Sequence, residues 1–149
     1  MEKFRQHIER YGPVVARVLL AQLFILSGIA KLKGFTGTAA FMGNLGMPAP
    51  QLFLVLTIAL EIGGGALLVI GWQARWVALA FFGFTFLTAV IVHPFWTGDP
   101  AGMISQLNNF MKNLSIMGGM LYVVVYGPGP LSLGSDPWAA AAAQVNKKR

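Results

Sequence analysis

The sequence predicts an all-α integral membrane protein, folded as a bundle of four transmembrane helices. Three observations support this class: hydrophobic residues form 56% of the chain, charged residues form only 11%, and the apolar residues cluster in long runs. Soluble domains typically contain about 25% charged residues. A chain of 149 residues with so few charges has too little polar surface to cover a soluble globule. We therefore expect one transmembrane domain over residues 1–149.

The apolar runs define the four spans. A bilayer core of about 30 Å needs about 20 helical residues, and suitable runs occupy about residues 13–32, 51–71 and 75–93. The fourth span, at about residues 104–126, is weaker because only its second half is apolar. If the polar first half continues the helix, it needs protein or water around it instead of lipid.

The first run also resembles a secretory signal peptide, because basic residues precede it. It is long for a signal peptide, no small-residue cleavage site follows, and Lys31 and Lys33 come next. These features favour an uncleaved helix. The loop after it is semi-apolar, and a short interfacial helix is predicted around Thr38–Leu45. The tail at residues 127–149 begins with prolines that end the fourth span, and a further short helix is expected after Trp138.

Lysine and arginine residues predict the orientation. With four spans, both termini lie on the same side of the membrane. That side carries seven cations and the other side three, and cations are in excess on the cytoplasmic side. Both termini are therefore expected in the cytoplasm. The two sets are Lys3, Arg5, Arg10, Arg75, Lys147, Lys148 and Arg149 on the inside, and Lys31, Lys33 and Lys112 on the outside.

Glu61 is the charge that the membrane prediction does not explain. It lies near the middle of the second span, about 15 Å from either end. A charge inside a span costs about 2.5–3.5 kcal/mol on insertion scales and marks a functional position. Glu61 must be protonated or paired. Arg17 either extends to the cytoplasmic surface or turns inward to pair with Glu61, and Gln22 is a rival hydrogen-bonding partner at similar depth.

Other polar residues predict a pocket above Glu61. Ser27 and Lys31 share a face of the first span with Arg17, and His93 closes the third span. Together, the polar residues near the outer face would line a pocket that narrows towards mid-membrane. The alternative is a set of ordinary boundary residues. The candidate functional residues are Arg17, Ser27, Lys31, Glu61, His93, Asn109, Lys112 and Asn113.

Small residues predict close helix packing. Ala59 with Gly63, and Ser115 with Gly119, are small pairs four residues apart, which let helix backbones approach closely. The chain has no cysteine, so disulfides, CxxC redox chemistry and thiolate metal sites are excluded. No metal site and no haem, flavin or iron–sulfur motif is present in the sequence.

Five patches in order resemble the DoxX family of small membrane proteins. They are RVLLAQLFILSGIAKL (17–32), NLGMPAP (44–50), ALEIGGGALLVIG (59–71), HP (93–94) and GPGPLSL (127–133). The resemblance implies a four-helix bundle in a prokaryotic inner membrane. By the family pattern, the notable polar positions are Arg17, Ser27, Lys31, Glu61 and His93. Some relatives are linked to membrane redox, including thiosulfate oxidation coupled to quinone, and others have no assigned activity.

Three functions follow as hypotheses. The first is a redox-associated subunit that binds a quinone, or a small apolar or sulfur ligand, near Glu61. The second is a non-enzymatic scaffold or assembly partner, in which Arg17 and Glu61 form a structural pair. The third is a small-solute transporter, which is disfavoured because no span is clearly broken in mid-membrane. The lipid bilayer is the expected partner and nucleic acid is not, whereas a partner redox protein and a homo-oligomer stay open. Whether the protein is an enzyme also stays open.

Overall fold

The computed structural model describes residues 1–97 and 100–134. This part of the chain is helical, without a β-strand, which confirms the all-α class. In chain order the elements are α1 (Glu2–Lys33), α2 (Phe35–Asn44), α3 (Pro50–Ala59), a π-helical turn (Leu60–Gly64), α4 (Gly65–Ile70), α5 (Ala74–Val92) and α6 (Pro100–Tyr126). The helix predicted after Trp138 and the three basic residues at the C-terminus lie outside the described residues.

Three helices in the described ranges are long and apolar enough to cross a bilayer. They are α1, the continuous helix Pro50–Ile70, and α5. The last two match the predicted spans closely. α1 begins much earlier than predicted, at Glu2, and residues 2–11 are all exposed. The first predicted span is thus the second part of a longer helix.

α6 continues through the polar segment at its start, as the fourth span requires. It has 27 residues, which is about 40 Å of helix. It runs antiparallel to α5, since Arg75 at the start of α5 donates to the Val125 carbonyl at the end of α6 (2.7 Å). At the other end of the pair, His93 contacts Gln106. The membrane crossing by α6 and the cytoplasmic position of the termini stay predictions.

Two names for the ends of the bundle follow the predicted orientation. The outer end is where α1 ends at Lys33, α3 begins at Pro50 and α5 ends at Val92. The inner end is where α4 ends at Ile70 and α5 begins at Ala74. At the outer end, α2 confirms the short helix predicted in the first loop. A cleft of about 390 Å³ lies between α2 and the start of α3, and it is lined mainly by apolar atoms.

The apolar core occupies the inner half of the bundle. Its centre is a stack of Phe24 on Phe81, with ring centroids 4.0 Å apart. Side chains from α1, α4, α5 and α6 surround the stack, so each long helix contributes to one core. The buried members are Ala21, Phe24, Leu68, Ala74, Ala78, Phe81, Met120 and Val123.

Two glycines set the distance between α1 and the helix that carries Glu61. A Cβ at Gly28 would lie 2.7 Å from Ile62, and a Cβ at Gly65 would lie 2.6 Å from Ile25. No side chain fits at either position without a shift. The predicted packing role of Gly63 is wrong, because nothing lies within 4 Å of its added Cβ. The contact with α1 instead uses Gly65 and Gly28, whereas Gly64 lies against Phe81 of α5.

The second predicted small pair is half right. Gly119 packs closely on Leu20 of α1, since an added Cβ would lie 3.0 Å from the leucine. Ser115 is exposed, and its hydroxyl donates to the Met111 carbonyl within the same helix (3.1 Å). Serine hydroxyls in helices commonly bond to a carbonyl one turn back, so this side chain does not take part in the contact with α1.

Candidate functional site

Glu61 lies in the π-helical turn that interrupts the second span. The turn covers Leu60–Gly64, and α-helix resumes at Gly65. Glycine favours the α-helix less than alanine by about 0.8–1.0 kcal/mol per residue, so the run Gly63–Gly65 weakens the α conformation locally. The expectation that no span is broken in mid-membrane agrees with the continuous helix Pro50–Ile70. The helix is continuous, but its hydrogen-bond pattern changes where the carboxylate lies.

Lys31, not Arg17, is the cation that pairs with Glu61. Its Nζ donates to both carboxylate oxygens, at 2.8 Å to Oε1 and 2.9 Å to Oε2. Lys31 lies near the outer end of α1, and helical side chains point back towards the N-terminus of their helix. That direction brings the ammonium group down from the outer end towards the middle of the span.

Ser27 completes this constellation from one turn earlier on α1. Its hydroxyl donates to Glu61 Oε1 at 3.2 Å and accepts from Lys31 Nζ at 2.6 Å. The carboxylate thus accepts three hydrogen bonds from two side chains of α1, across the close contact that Gly28 permits. We call Ser27, Lys31 and Glu61 the α1–π-turn site.

The two charges of the site differ in exposure. The side chain of Glu61 is 3% exposed, whereas that of Lys31 is 27% exposed. The carboxylate therefore depends on its partners for neutralisation, because an isolated buried charge is strongly unfavourable. Access to the site from outside the protein lies on the Lys31 side.

Arg17 neither pairs with Glu61 nor extends to the surface, so both predicted positions are wrong. It is 1% exposed, at the inner end of the bundle. Its Nη2 donates to the carbonyl of Leu131 at 2.6 Å. The cause is the chain after α6, which folds back across the inner end. In this return segment, defined as residues 127–134, the Leu133 N–H donates to the Ile70 carbonyl at 2.9 Å.

Gly71 and Gly129 make room for the return segment. Gly71 has a φ of 77°, and an added Cβ would collide with the Arg17 guanidinium. Gly129 has a φ of 84°, and an added Cβ would collide with Pro13. Glycine adopts positive φ without the steric penalty that other residues have. Gln22, the rival partner of Glu61, is exposed on another face of α1.

His93 forms a second polar contact at the outer end. Its Nδ1 lies 2.9 Å from Oε1 of Gln106 on α6. Three aromatic rings close to His93 or Gln106 in the sequence pack edge to face, with centroids 5.1–5.9 Å apart. They are Phe95, Trp96 and Phe110. Gln106 was not among the residues predicted from the sequence. Its spacing of seven residues before Asn113, which places both on one face of a helix, was the available signal.

The remaining predicted residues divide between two faces of α6. Lys112 is exposed, and it donates to Asn109 on the same helix at 3.0 Å. Asn113 is 8% exposed and faces the bundle interior. The predicted single cluster is thus divided into three hydrogen-bonded groups: the α1–π-turn site, the His93–Gln106 contact and the Asn109–Lys112 pair. Arg17 and Asn113 belong to none of these groups. Within residues 1–97 and 100–134, no three His, Asp or Glu side chains are placed to hold a metal ion.

A family model supports the resemblance seen in the sequence. The DoxX model matches residues 12–94, which contain the whole α1–π-turn site and His93. The chain belongs to the DoxX family. With its apolar helices, this membership makes it a multi-pass protein of the inner membrane.

Individual relatives agree with this assignment. The chain is 38% identical over 122 residues to "Inner membrane protein YphA" of Escherichia coli, covering 80% of this chain and 86% of that protein. It is 40% identical over 126 residues to "Inner membrane protein YqjF" of the same organism, covering 85% and 92%. It is 31% identical over 80 residues to "Putative oxidoreductase CatD" of Bacillus subtilis, covering 54% and 58%. No solved structure shows a significant match.

Proposed function

We propose that this DoxX-family protein is the quinone-binding membrane subunit of a redox system, with the α1–π-turn site as its binding site. The observation that carries the proposal is the ion pair between Lys31 and the buried Glu61, in an apolar bundle and on a π-turn. π-turns are rare and frequently lie at functional sites. Ionisable residues inside spans also mark functional sites. The printed name of the Bacillus subtilis relative points in the same direction.

The side chains of the site suit a ligand with carbonyl oxygens. Reduction of a quinone adds two electrons and two protons to the molecule. The Lys31 ammonium and the Ser27 hydroxyl are donors, and Glu61 is a group that accepts or releases a proton. In a low-dielectric bundle such charge-assisted hydrogen bonds are strong. The Lys31 ammonium group donates to Glu61 and Ser27 in this structure. A ligand oxygen that accepts a hydrogen bond from Lys31 would therefore replace one of these two bonds.

The surroundings of the site also suit a ligand dissolved in the membrane. The partial exposure of Lys31 leaves one side of the ion pair open to the outside of the bundle, and a ligand dissolved in the membrane would approach from there. The cleft between α2 and α3 lies at the same end of the bundle, and its apolar wall offers a surface for a prenyl tail. Its lining residues are Phe35, Thr36, Ala39, Ala40, Gly43, Pro50 and Gln51.

Electrons would reach the site from another protein. The chain has no cysteine, so it has no thiol couple of its own. We therefore infer a partner subunit that carries the redox group. The role of Lys31 and Glu61 is then to bind the quinone and to exchange protons with it.

The proposal is tested by ligand titration of the purified protein in lipid nanodiscs. A short-chain ubiquinone and a short-chain menaquinone are added while quenching of the tryptophan fluorescence is recorded. Saturable binding is expected for the parent chain, with at least tenfold weaker binding for Glu61→Gln. Glu9→Gln is the matched control, because Glu9 lies in an exposed ion pair with Arg5 (3.6 Å). Absence of saturable binding to the parent chain would refute the proposal.

A scaffold is the second candidate, and the completeness of the ion pair favours it. Both oxygens of Glu61 already have donors, as expected of a pair whose role is to fix helix register. In that case Glu61→Gln lowers the melting temperature in detergent, while the parent chain binds neither quinone. The two candidates therefore give opposite results in the titration of the parent chain.

A further inference from the structure

Two buried polar side chains have no place in the site described above. Thr85 on α5 is 2% exposed, and Asn113 on α6 is 8% exposed. Neither the Thr85 hydroxyl nor the Asn113 Nδ2 has a hydrogen-bond partner among the described residues. Buried polar groups nearly always bond to protein or to ordered water. These two side chains therefore indicate that a small polar molecule lies beside them inside the bundle.

Thr85 lies at the level of Glu61. Phe81, one turn before Thr85, stacks on Phe24 and lies against Gly64 of the π-turn. Thr85 lies one turn from Phe81 towards the outer end. Glu61 lies about one turn from Gly64 in the same direction. Residues four apart share a helix face. Thr85 is thus in the next layer of the bundle, on the face that Phe81 presents to α1.

Asn113 lies at the same level on the fourth side of the bundle. Gly119 of α6 contacts Leu20 of α1. Asn113 is six residues from Gly119, and Ser27 is seven residues from Leu20, both towards the outer end. At a rise of about 1.5 Å per residue, both therefore lie about 10 Å from this contact. Asn113 shares a face with the fully buried Met120, seven residues later. Four elements therefore contribute one polar layer, which consists of Ser27, Glu61, Thr85 and Asn113.

The polar layer has an aromatic stack on its inner side and a polar contact further out on its outer side. Towards the inner end lies the Phe24–Phe81 stack, in which both rings are buried. Towards the outer end, the faces of Thr85 and Asn113 lead to His93 and Gln106, which bridge α5 and α6 and are partly exposed. The seam between these two helices thus connects the layer with the polar His93–Gln106 contact at the outer end, and it passes Ala89 of α5, which is 1% exposed.

We propose that water enters the bundle along this seam and fills the polar layer, so that Glu61 exchanges protons with the aqueous phase at the outer end only. Water supplies the missing partners of Thr85 and Asn113, since it both donates and accepts hydrogen bonds. The Phe24–Phe81 stack blocks passage to the inner end. The inference deepens the proposed function by giving its proton-exchanging group an access route, and it rests on that function for the use of the protons.

Cysteine accessibility tests the route directly, because the chain contains no cysteine that would react in the background. Thr85→Cys and Asn113→Cys are made singly. Each variant is treated in right-side-out and inside-out vesicles with a small impermeant methanethiosulfonate, and with silver ion for narrow paths. Thr97→Cys, at an exposed position of the outer loop, identifies the outer side in each preparation.

Two control variants separate water from lipid and from dry core. Ala78→Cys lies on the α5 face of Thr85 but beyond the phenylalanine stack, at a fully buried position. Gly83→Cys lies on the exposed, lipid-facing side of α5, with nothing within 4 Å. Thiols react as thiolates and need water. We expect Thr85→Cys and Asn113→Cys to react at least tenfold faster than both controls, from the side that labels Thr97→Cys.

Equal, background reactivity of Thr85→Cys and Ala78→Cys towards both reagents would overturn the inference, as would labelling from the inner end. Thr85→Val gives a second measurement that does not depend on the reactivity of a new thiol there. In a hydrated layer it slows the labelling of Asn113→Cys severalfold, whereas in a dry layer it raises the melting temperature and leaves labelling unchanged. Labelling needs no quinone, so failure of quinone binding and failure of the water route are separate results.

Discussion

The two halves of the bundle hold a cation in different ways. In the outer half, Lys31 pairs with a carboxylate, and both oxygens of Glu61 accept from it. At the inner end, Arg17 is more deeply buried, and its partner is the neutral carbonyl of Leu131. Arg17 Nε and Nη1 have no hydrogen-bond partner among the described residues. An ion pair anchors the outer cation, and the folded-back chain anchors the inner one.

This difference shows that burial alone does not identify a charged site. Removing Lys31 leaves a buried carboxylate without a counter-charge, which is strongly unfavourable. Removing Arg17 leaves only a carbonyl without its donor, which is a smaller loss. Substitutions at the two positions should therefore separate a charge-coupled pair from a structural contact.

The largest effect is expected for Lys31→Met. It leaves Glu61 buried and unpaired, and breaking a buried pair in this way costs about 3–5 kcal/mol. We expect a loss at the lower end of this range, about 3 kcal/mol, because the Lys31 side of the pair is partly exposed. Reversible unfolding in mixed micelles measures it. The double variant Lys31→Met with Glu61→Gln should recover most of the loss, and no recovery would show that the two side chains are uncoupled.

Gly28→Ala should have the next largest effect. The new Cβ would lie 2.7 Å from Ile62 and 3.0 Å from the Glu61 Cβ, so α1 and the π-turn must separate. Overpacking of this kind typically costs about 1–3 kcal/mol. Gly63→Ala, with open space around the new methyl group, is the control and should cost nothing. Similar unfolding energies for the two variants would contradict the helix contact described above.

Arg17→Met should cost about 1 kcal/mol, since only the Leu131 carbonyl loses a partner. Methionine fills most of the space of the arginine stem. The unfolding experiment that is used for Lys31→Met applies here too. A loss equal to that of Lys31→Met would mean that Arg17 has a charged partner of comparable importance, and the contrast between the two halves would disappear.

Lys112→Ala should have the smallest effect. Lys112 is exposed, and its bond to Asn109 lies within one helix. Such exposed contacts contribute at most about 0.5 kcal/mol. Quinone affinity should also be unchanged, in contrast to Glu61→Gln. A tenfold loss of affinity in Lys112→Ala would restore Lys112 to the functional cluster that the sequence suggested.

Much of the fold was predictable because it depends on local properties of the chain. Long apolar runs in a membrane must be helices, so three of the spans could be located from the sequence. For α6, the sequence left open whether the helix continues through its polar first half. The burial of Glu61 against α1 followed from the small residues around it, although the particular glycines were misassigned. The π-turn, which changes the direction of the side chains that follow it, could not be predicted. The sequence of residues 60–64 is also compatible with an ordinary α-helix.

The partner of Glu61 could not be chosen from helical periodicity. Arg17 and Lys31 are fourteen residues apart, and 3.6 residues per turn places them on nearly the same face. The decision depends on residues 127–134, which return across the inner end and hold Arg17 there. That return has no periodic pattern, because it is fixed by contacts between distant parts of the chain. Its glycines and prolines indicated only where α6 ends.

The length of α1 has a practical consequence for imaging this small protein. Its 32 residues correspond to about 48 Å of helix, which exceeds a bilayer core of about 30 Å by several turns. The first turns, up to residue 11, are exposed and extend beyond the bundle. A rigid helical fusion joined in phase at Glu2 would therefore stand clear of the micelle as a fiducial mark for particle alignment. Such a mark would allow electron cryomicroscopy of a 16.1 kDa membrane protein.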